Sequence, residues 1–203
     1  MIKSKVQLSP MKNGFGQGLA EIGEKYKNLI CIGSDITKSV GTNLFKDKFP
    51  ERFFSLGIAE QNAASVAAGL SLSGKIPVFS TYAVFSAMRT ADQIRVSLCY
   101  NNLHAIIGGA HAGVSVGADG ATHQALEDIA VMRSLPNMTV ISPCDENQTK
   151  LAVKTAIKDL NSPVYIRYSR EPVPNFSSLD QKFEIGKAQI LKKGEDISII
   201  SCG

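Results

Sequence analysis

Cysteine is sparse in this 203-residue chain: Cys31, Cys99, Cys144 and Cys202 lie far apart and form no CxxC pair. That spacing argues against metal clusters, thioredoxin-like chemistry and a disulfide framework. Cys31 and Cys202 sit in apolar, strand-like runs and read as core thiols. Charge of one sign is also lacking. The formal net charge is +4, and the basic residues are scattered, as at Lys25 and Lys27 or Lys192 and Lys193, with no basic run. Such a pattern does not mark a nucleic-acid surface. No apolar stretch reaches membrane-spanning length, and MIKSKVQLSP at the N-terminus has no apolar signal-peptide core. Repeats and low-complexity tracts are absent too. What is present is ordinary: 44% hydrophobic and 20% charged residues, the composition of a cytosolic globular protein able to bury a core without staples.

Apolar runs rich in Ile and Val alternate with helical patterns. The runs are Leu29–Ile32, Phe53–Leu56, Ile76–Phe79, Ala105–Ile107, Thr139–Ile141 and Val164–Ile166. Helices are expected at about 14–26, 60–73, 82–100, 123–135 and 145–159. Short, nearly uninterrupted apolar strands separated by helices indicate a parallel sheet covered on both faces. The expected class is therefore α/β, with a mostly parallel sheet of about six strands and helices on either side. Small residues at Ala63, Ala64, Ala67, Ala68 and Gly69 suit a closely packed core helix better than an interface. After Arg170 the texture changes. Residues 171–182 read as a linker by their Pro and Ser content, so the first domain is placed at 1–170. Residues 183–203 read as a hairpin and strand that open a second α/β domain.

In open parallel sheets, ligands bind beyond the carboxyl ends of the strands. The segments that follow the expected strands hold Asp35 and Ser39, then Glu60, then Tyr82 and Phe85. A long polar loop then carries His111, Asp119 and His123, and the last strand leads to Arg170. Each residue has a plainer reading. Glu60 could simply satisfy a helix dipole, and Tyr82 and Phe85, three apart on a helix, could be core. The histidines could be structural, Asp119 a turn residue and Arg170 a rim charge. The His-Asp-His spacing matches no standard metal motif, so no metal ligands are expected in this chain. Gly14-Phe15-Gly16-Gln17-Gly18 follows no expected strand, which argues against a dinucleotide fingerprint.

Taken in order, these residues resemble the pyrimidine-binding half of transketolase, from about Gly14 to Arg170. Gly57-Ile58-Ala59-Glu60-Gln61-Asn62 is similar to the family's cofactor-activating motif. Gly108 to Gln124, continuing to Ala130, is similar to its substrate loop, and Pro136-Asn137-Met138-Thr139-Val140 to the strand that follows. The resemblance implies thiamine diphosphate as cofactor and a thiamine diphosphate pyrimidine-binding fold. It assigns Glu60 to the pyrimidine nitrogen, where proton control sets up loss of the thiazolium C2 proton. Tyr82 and Phe85 fall where the family packs aromatics on the pyrimidine, and Asp35 falls near the cofactor. His111 and His123 match catalytic histidines that contact the sugar, and Asp119 matches a residue reading a hydroxyl. Arg170 and Ser39 match positions that hold the sugar phosphate.

Two departures qualify that likeness. The family's N-terminal phosphate-contacting arginine has no clear counterpart, and Lys12 is the nearest candidate. The family's Gly-Asp-Gly motif for diphosphate and metal is absent, because Ala118-Asp119-Gly120 falls in the substrate loop. The resemblance therefore implies the C-terminal subunit of a two-subunit transketolase. Magnesium and the diphosphate would be held mainly by a separate N-terminal subunit, in a homo-oligomer or heterotetramer acting on sugar phosphates. Sister readings are a 1-deoxyxylulose 5-phosphate synthase or a 2-oxo acid dehydrogenase beta subunit. A reading of another class is a non-catalytic interaction module.

Overall fold

The structure is a computed structural model and describes residues 8–203. The reading of the N-terminus as lacking a signal segment falls mostly outside those residues. In chain order the elements are β1 (Leu8–Ser9), α1 (Met11–Ile22), β2 (Leu29–Gly33), α2 (Thr37–Val40) and α3 (Asn43–Lys48). Then come β3 (Phe53–Ser55), α4 (Glu60–Leu72), β4 (Ile76–Tyr82), α5 (Ala91–Gln93) and β5 (Ile106–Ala110). The chain continues through α6 (Asp128–Arg133), β6 (Thr139–Ile141), α7 (Glu146–Asp159), β7 (Val164–Arg167) and β8 (Val173–Pro174). Six strands form one parallel sheet in the order β3-β2-β4-β5-β7-β6, the α/β architecture the apolar runs foretold.

Successive strand residues point to opposite faces, and the core divides accordingly. Cys31, Val78, Ile106, Val164 and Ile166 pack on one face against Phe15 and Leu19 of α1 and Val153 of α7. Ile32, Phe79, Ile107 and Tyr165 pack on the other against Ala63, Ala64, Ala67 and Ala68 of α4. These four alanines of α4 are thus a core-facing stripe, whereas Gly69 is exposed and lies off it. Gly14 and Gly16 lie inside α1, not in a loop. A Cβ at Gly14 would run into the carbonyl of Glu146, and one at Gly16 into the carbonyl of Gly41. Gly14 is thus a notch that lets α1 lie close to α7, and Gly16 one that admits the backbone at Gly41, between α2 and α3.

Several expectations need correction. The helix expected from 14 begins at Met11, and the helix expected over 123–135 shrinks to α6. Tyr82 and Phe85 do not share a helix: Tyr82 ends β4, and Phe85 opens a π-helical stretch, Phe85–Arg89. A second such stretch, Ile94–Cys99, completes the region expected as one regular helix. Cys31 is a core thiol, held protonated by burial, but Cys202 is exposed. The hairpin and strand expected over 183–203 are not formed. Ile197, Ile199 and Ile200 there are exposed, and no strand among the described residues lies beside them to complete a ladder. Within 171–182 the chain is partly docked. Val173 and Pro174 pair with Ser9 and Leu8. Buried Asp145 caps α7 by accepting from the Gln148 N–H, and also accepts from the Phe176 and Ser177 N–H groups and the Ser177 hydroxyl. No helix among the described residues is long and apolar enough to cross a membrane.

Candidate active site

The strand order turns back between β2 and β4, the place where open α/β sheets accept ligands. Chemistry-bearing side chains gather at the carboxyl ends of these strands and their neighbours. Glu60 is the first residue of α4, placed by a turn in which Gly57 has φ 71° and the Ala59 N–H bonds the Gly57 carbonyl at 2.9 Å. A carboxylate at that position complements the helix dipole. Yet its side chain is only 3% exposed, and Oε2 accepts from Arg89 Nη1 at 2.9 Å. The other oxygen, Oε1, makes no hydrogen bond among the described residues.

Arg89 extends the site. Its guanidinium lies 4.1 Å from the Phe85 ring centre, a cation–π contact. Phe85 meets His123 edge-on at 5.2 Å and faces Tyr82 at 6.2 Å. Tyr82 in turn stacks on His111 at 4.5 Å. One continuous run of contacts therefore joins Glu60, Arg89, Phe85, His123, Tyr82 and His111.

His111 is buried and has φ 54°, a region that non-glycine residues seldom occupy and that clusters at functional sites. Its Nε2 lies 3.2 Å from the Ser39 carbonyl. A carbonyl only accepts, so Nε2 carries the proton. Nδ1 is buried without a partner among the described residues. Burial, reinforced by the positive charge of Arg170, pushes the imidazole from its ordinary 6.5 down to about 4. The ring is thus a neutral imidazole with an uncommitted acceptor. His123 shares its Nδ1 with the Thr122 hydroxyl at 3.0 Å.

The phosphate-site and hydroxyl-reading candidates pair with each other. Arg170 Nη1 donates to Asp119 Oδ2 at 2.7 Å and to the Val116 carbonyl. Lys12 Nζ donates to the Lys38 carbonyl at 3.2 Å, beside Ser39. Asp35, with φ 64°, is exposed at the end of β2 and has no hydrogen bond to the others among the described residues. The sequence reading overlooked Arg89. Its spacing of four from Phe85 was the available signal, but only the wide π turns and the long-range pairing to Glu60 give that spacing meaning. It also overlooked Asp128, a buried acid that accepts from Tyr165 OH and Arg167 Nε, each at 2.9 Å, beneath the polar loop.

An enclosed acid with one oxygen uncommitted, beside aromatic faces and a neutral histidine, fits an aromatic heterocycle with a basic ring nitrogen. The pyrimidine of thiamine diphosphate has that chemistry. Among the described residues, no group of three or more His, Cys, Asp or Glu side chains is placed to hold a metal ion.

Comparison with known proteins places this geometry in a family. The transketolase pyrimidine-binding domain matches residues 9–175. A protein of Methanocaldococcus jannaschii named as a transketolase C-terminal section is 42% identical over 100% of this chain and 65% of its own length. A 1-deoxy-D-xylulose-5-phosphate synthase of Desulfitobacterium hafniense is 37% identical over 93% of this chain and 30% of its own length. A solved structure described as a split gene transketolase, inactive beta4 tetramer, superposes with a TM-score of 0.82 at 46% identity, covering 91% of this chain and 59% of the other. This chain thus spans less than two thirds of each of these relatives. From the sheet order, the buried acid at the start of α4 and these likenesses together, the chain belongs to the transketolase pyrimidine-binding domain family.

Proposed function

We propose that this chain is the C-terminal subunit of a two-subunit transketolase, moving a two-carbon ketol unit from a ketose phosphate to an aldose phosphate. The observation that carries this reading is the buried Glu60 carboxylate with Oε1 uncommitted beside the Tyr82–Phe85 aromatic pair. When bound, thiamine diphosphate supplies the nucleophilic carbon, and the protein supplies orientation and proton control. Glu60 would hold the pyrimidine nitrogen, and Tyr82 and Phe85 would pack against the ring, with Asp35 near the cofactor. His111 and His123 would bind the sugar and move its hydroxyl protons. A bare Nδ1 suits His111 to accept one, since general bases need the neutral form. Arg170, Ser39 and Lys12 would hold the phosphate. For this the Arg170–Asp119 pair must open, which frees Asp119 for a sugar hydroxyl.

The diphosphate and magnesium would be held mainly by an N-terminal partner subunit, so the site is completed only in an oligomer. The likeness to a split-gene protein described as an inactive beta4 tetramer supports that half-site logic. Residues 183–203 would open the second domain, and the assembly would act in the cytoplasm within the pentose phosphate pathway. The synthase likeness keeps a second reading in play, with pyruvate as the donor. The deciding experiment mixes the chain with a candidate N-terminal subunit, thiamine diphosphate and magnesium, and offers ketose phosphates or pyruvate. Ketol transfer from xylulose 5-phosphate is the expected result. Turnover of pyruvate alone would assign the synthase or dehydrogenase reaction. Silence with a partner that demonstrably binds would mark an interaction module.

A further inference from the structure

Arg89 has no role in the site as proposed, yet it is the group that touches Glu60. Three observations bear on it. Its Nη1 donates to Glu60 Oε2 at 2.9 Å, a charge-assisted bond to an acid that is 3% exposed. Its guanidinium lies on Phe85 at 4.1 Å, so the same group touches both the acid and the aromatic shelf. Its backbone lies in the π-helical stretch Phe85–Arg89, a rare form that is frequent at functional sites. The wide turn is supported rather than left open: the Thr90 hydroxyl donates to the Ser86 carbonyl at 2.7 Å, and the Ser86 hydroxyl to the Ala83 carbonyl at 3.3 Å.

A purely stabilising ion pair is the plain alternative. Arg89 is 43% exposed, and pairs with one partner in solvent contribute little to stability. Geometry says more than stability here. A carboxylate free to rotate would present either oxygen in many directions. With Oε2 tied to Arg89, and Arg89 pinned on Phe85, Oε1 is the oxygen left for a ligand. We infer that Arg89 is a positioning residue, fixing Glu60 by one oxygen so that the other meets the pyrimidine nitrogen in register with the aromatic shelf. This inference rests on the proposed function.

Two measurements test it. In the full chain alone, side-chain nitrogen spectra should show slow rotation of the Arg89 guanidinium, lost in Glu60→Gln. Free rotation in the wild type would overturn the inference whatever the enzyme does. In the assembly with the N-terminal subunit, exchange of the thiazolium C2 proton is followed by quenched-flow NMR. Arg89→Gln should slow that exchange at least tenfold while the KM for the sugar donor changes less than twofold. Arg89→Lys, which keeps the charge but loses the planar fork, should recover only part of the rate. In a Glu60→Gln background, Arg89→Gln should add less than a twofold effect, since the two act as one unit. An equal loss in both backgrounds, or no loss in either, would overturn the inference. A change confined to Tm would show a structural role and overturn it too. Absence of any accelerated exchange in the wild-type assembly would sink the proposed function itself and this inference with it, an outcome distinct from a failure confined to the Arg89 variants.

Discussion

At the scale of single residues, His111 shows how burial and hydrogen bonding select one protonation state. Its imidazole is neutral because desolvation disfavours the cation and Arg170 adds repulsion. The sign of the consequence follows. A group whose folded value is depressed contributes stability above its unfolded value, and that stability is lost as pH falls. From 6.5 towards 4 the unfolded chain binds the proton first, so stability should fall by up to ~1.4 kcal/mol per pH unit from this group. NMR titration should find His111 neutral down to about pH 4. In Arg170→Gln the midpoint should rise only part of the way to 6.5, because desolvation is the larger cause. A midpoint unchanged by that substitution would show that Arg170 does not act on the ring. Candidate residues were legible singly, from their place after apolar runs. Their partners were not. Neither the Arg170–Asp119 pair nor the Glu60–Arg89 pair can be read from the sequence, since each joins residues separated by dozens of positions.

Elements were read well where burial repeats in sequence and poorly where geometry is local. The inner strands of the sheet were visible because both faces are covered, which makes each an apolar run, while edge strand β3 is apolar although Phe54 stays half exposed. The π stretches at Phe85–Arg89 and Ile94–Cys99 carry no periodic signature, so they read as ordinary helix. The glycines of α1 form no dinucleotide fingerprint, and their work is close packing. Gly14→Ala and Gly16→Ala should each cost about 1–3 kcal/mol by overpacking, lowering Tm by roughly 2–4 °C per kcal/mol. Gly69 in α4 is the contrast, because a Cβ there meets nothing within 4 Å. Gly69→Ala should raise Tm, with a gain of roughly 0.5–1 kcal/mol from helix propensity. Equal effects at all three positions would refute the notch account. Asp145 ties α7 to the chain at Phe176 and Ser177. Burial opposes its charge, but the Ser177 hydroxyl and three backbone N–H groups outweigh that and hold its carboxyl below the usual range. Asp145→Ala should cost about 1–3 kcal/mol through the lost cap and the unpaired N–H groups. Limited proteolysis near residue 176 should quicken in the same variant.

On the scale of the whole molecule, one sheet edge collects an acid, an aromatic shelf, the buried neutral His111, the half-buried His123 and a basic rim. None of these makes a complete catalyst alone. The second domain expected after residue 182 forms no strand among the described residues, since a strand needs a neighbour for its backbone groups. The proposed half-site accounts for the buried acid and leaves the diphosphate to an N-terminal partner. Its most direct test is cofactor-dependent ketol transfer by wild-type chain and Glu60→Gln, each with and without the N-terminal subunit. Expected are no turnover for either chain alone, turnover for the wild type with its partner, and at least a hundredfold loss in the variant that still assembles. Full activity of the chain alone, or of the assembled Glu60→Gln variant, would contradict a half-site built around Glu60.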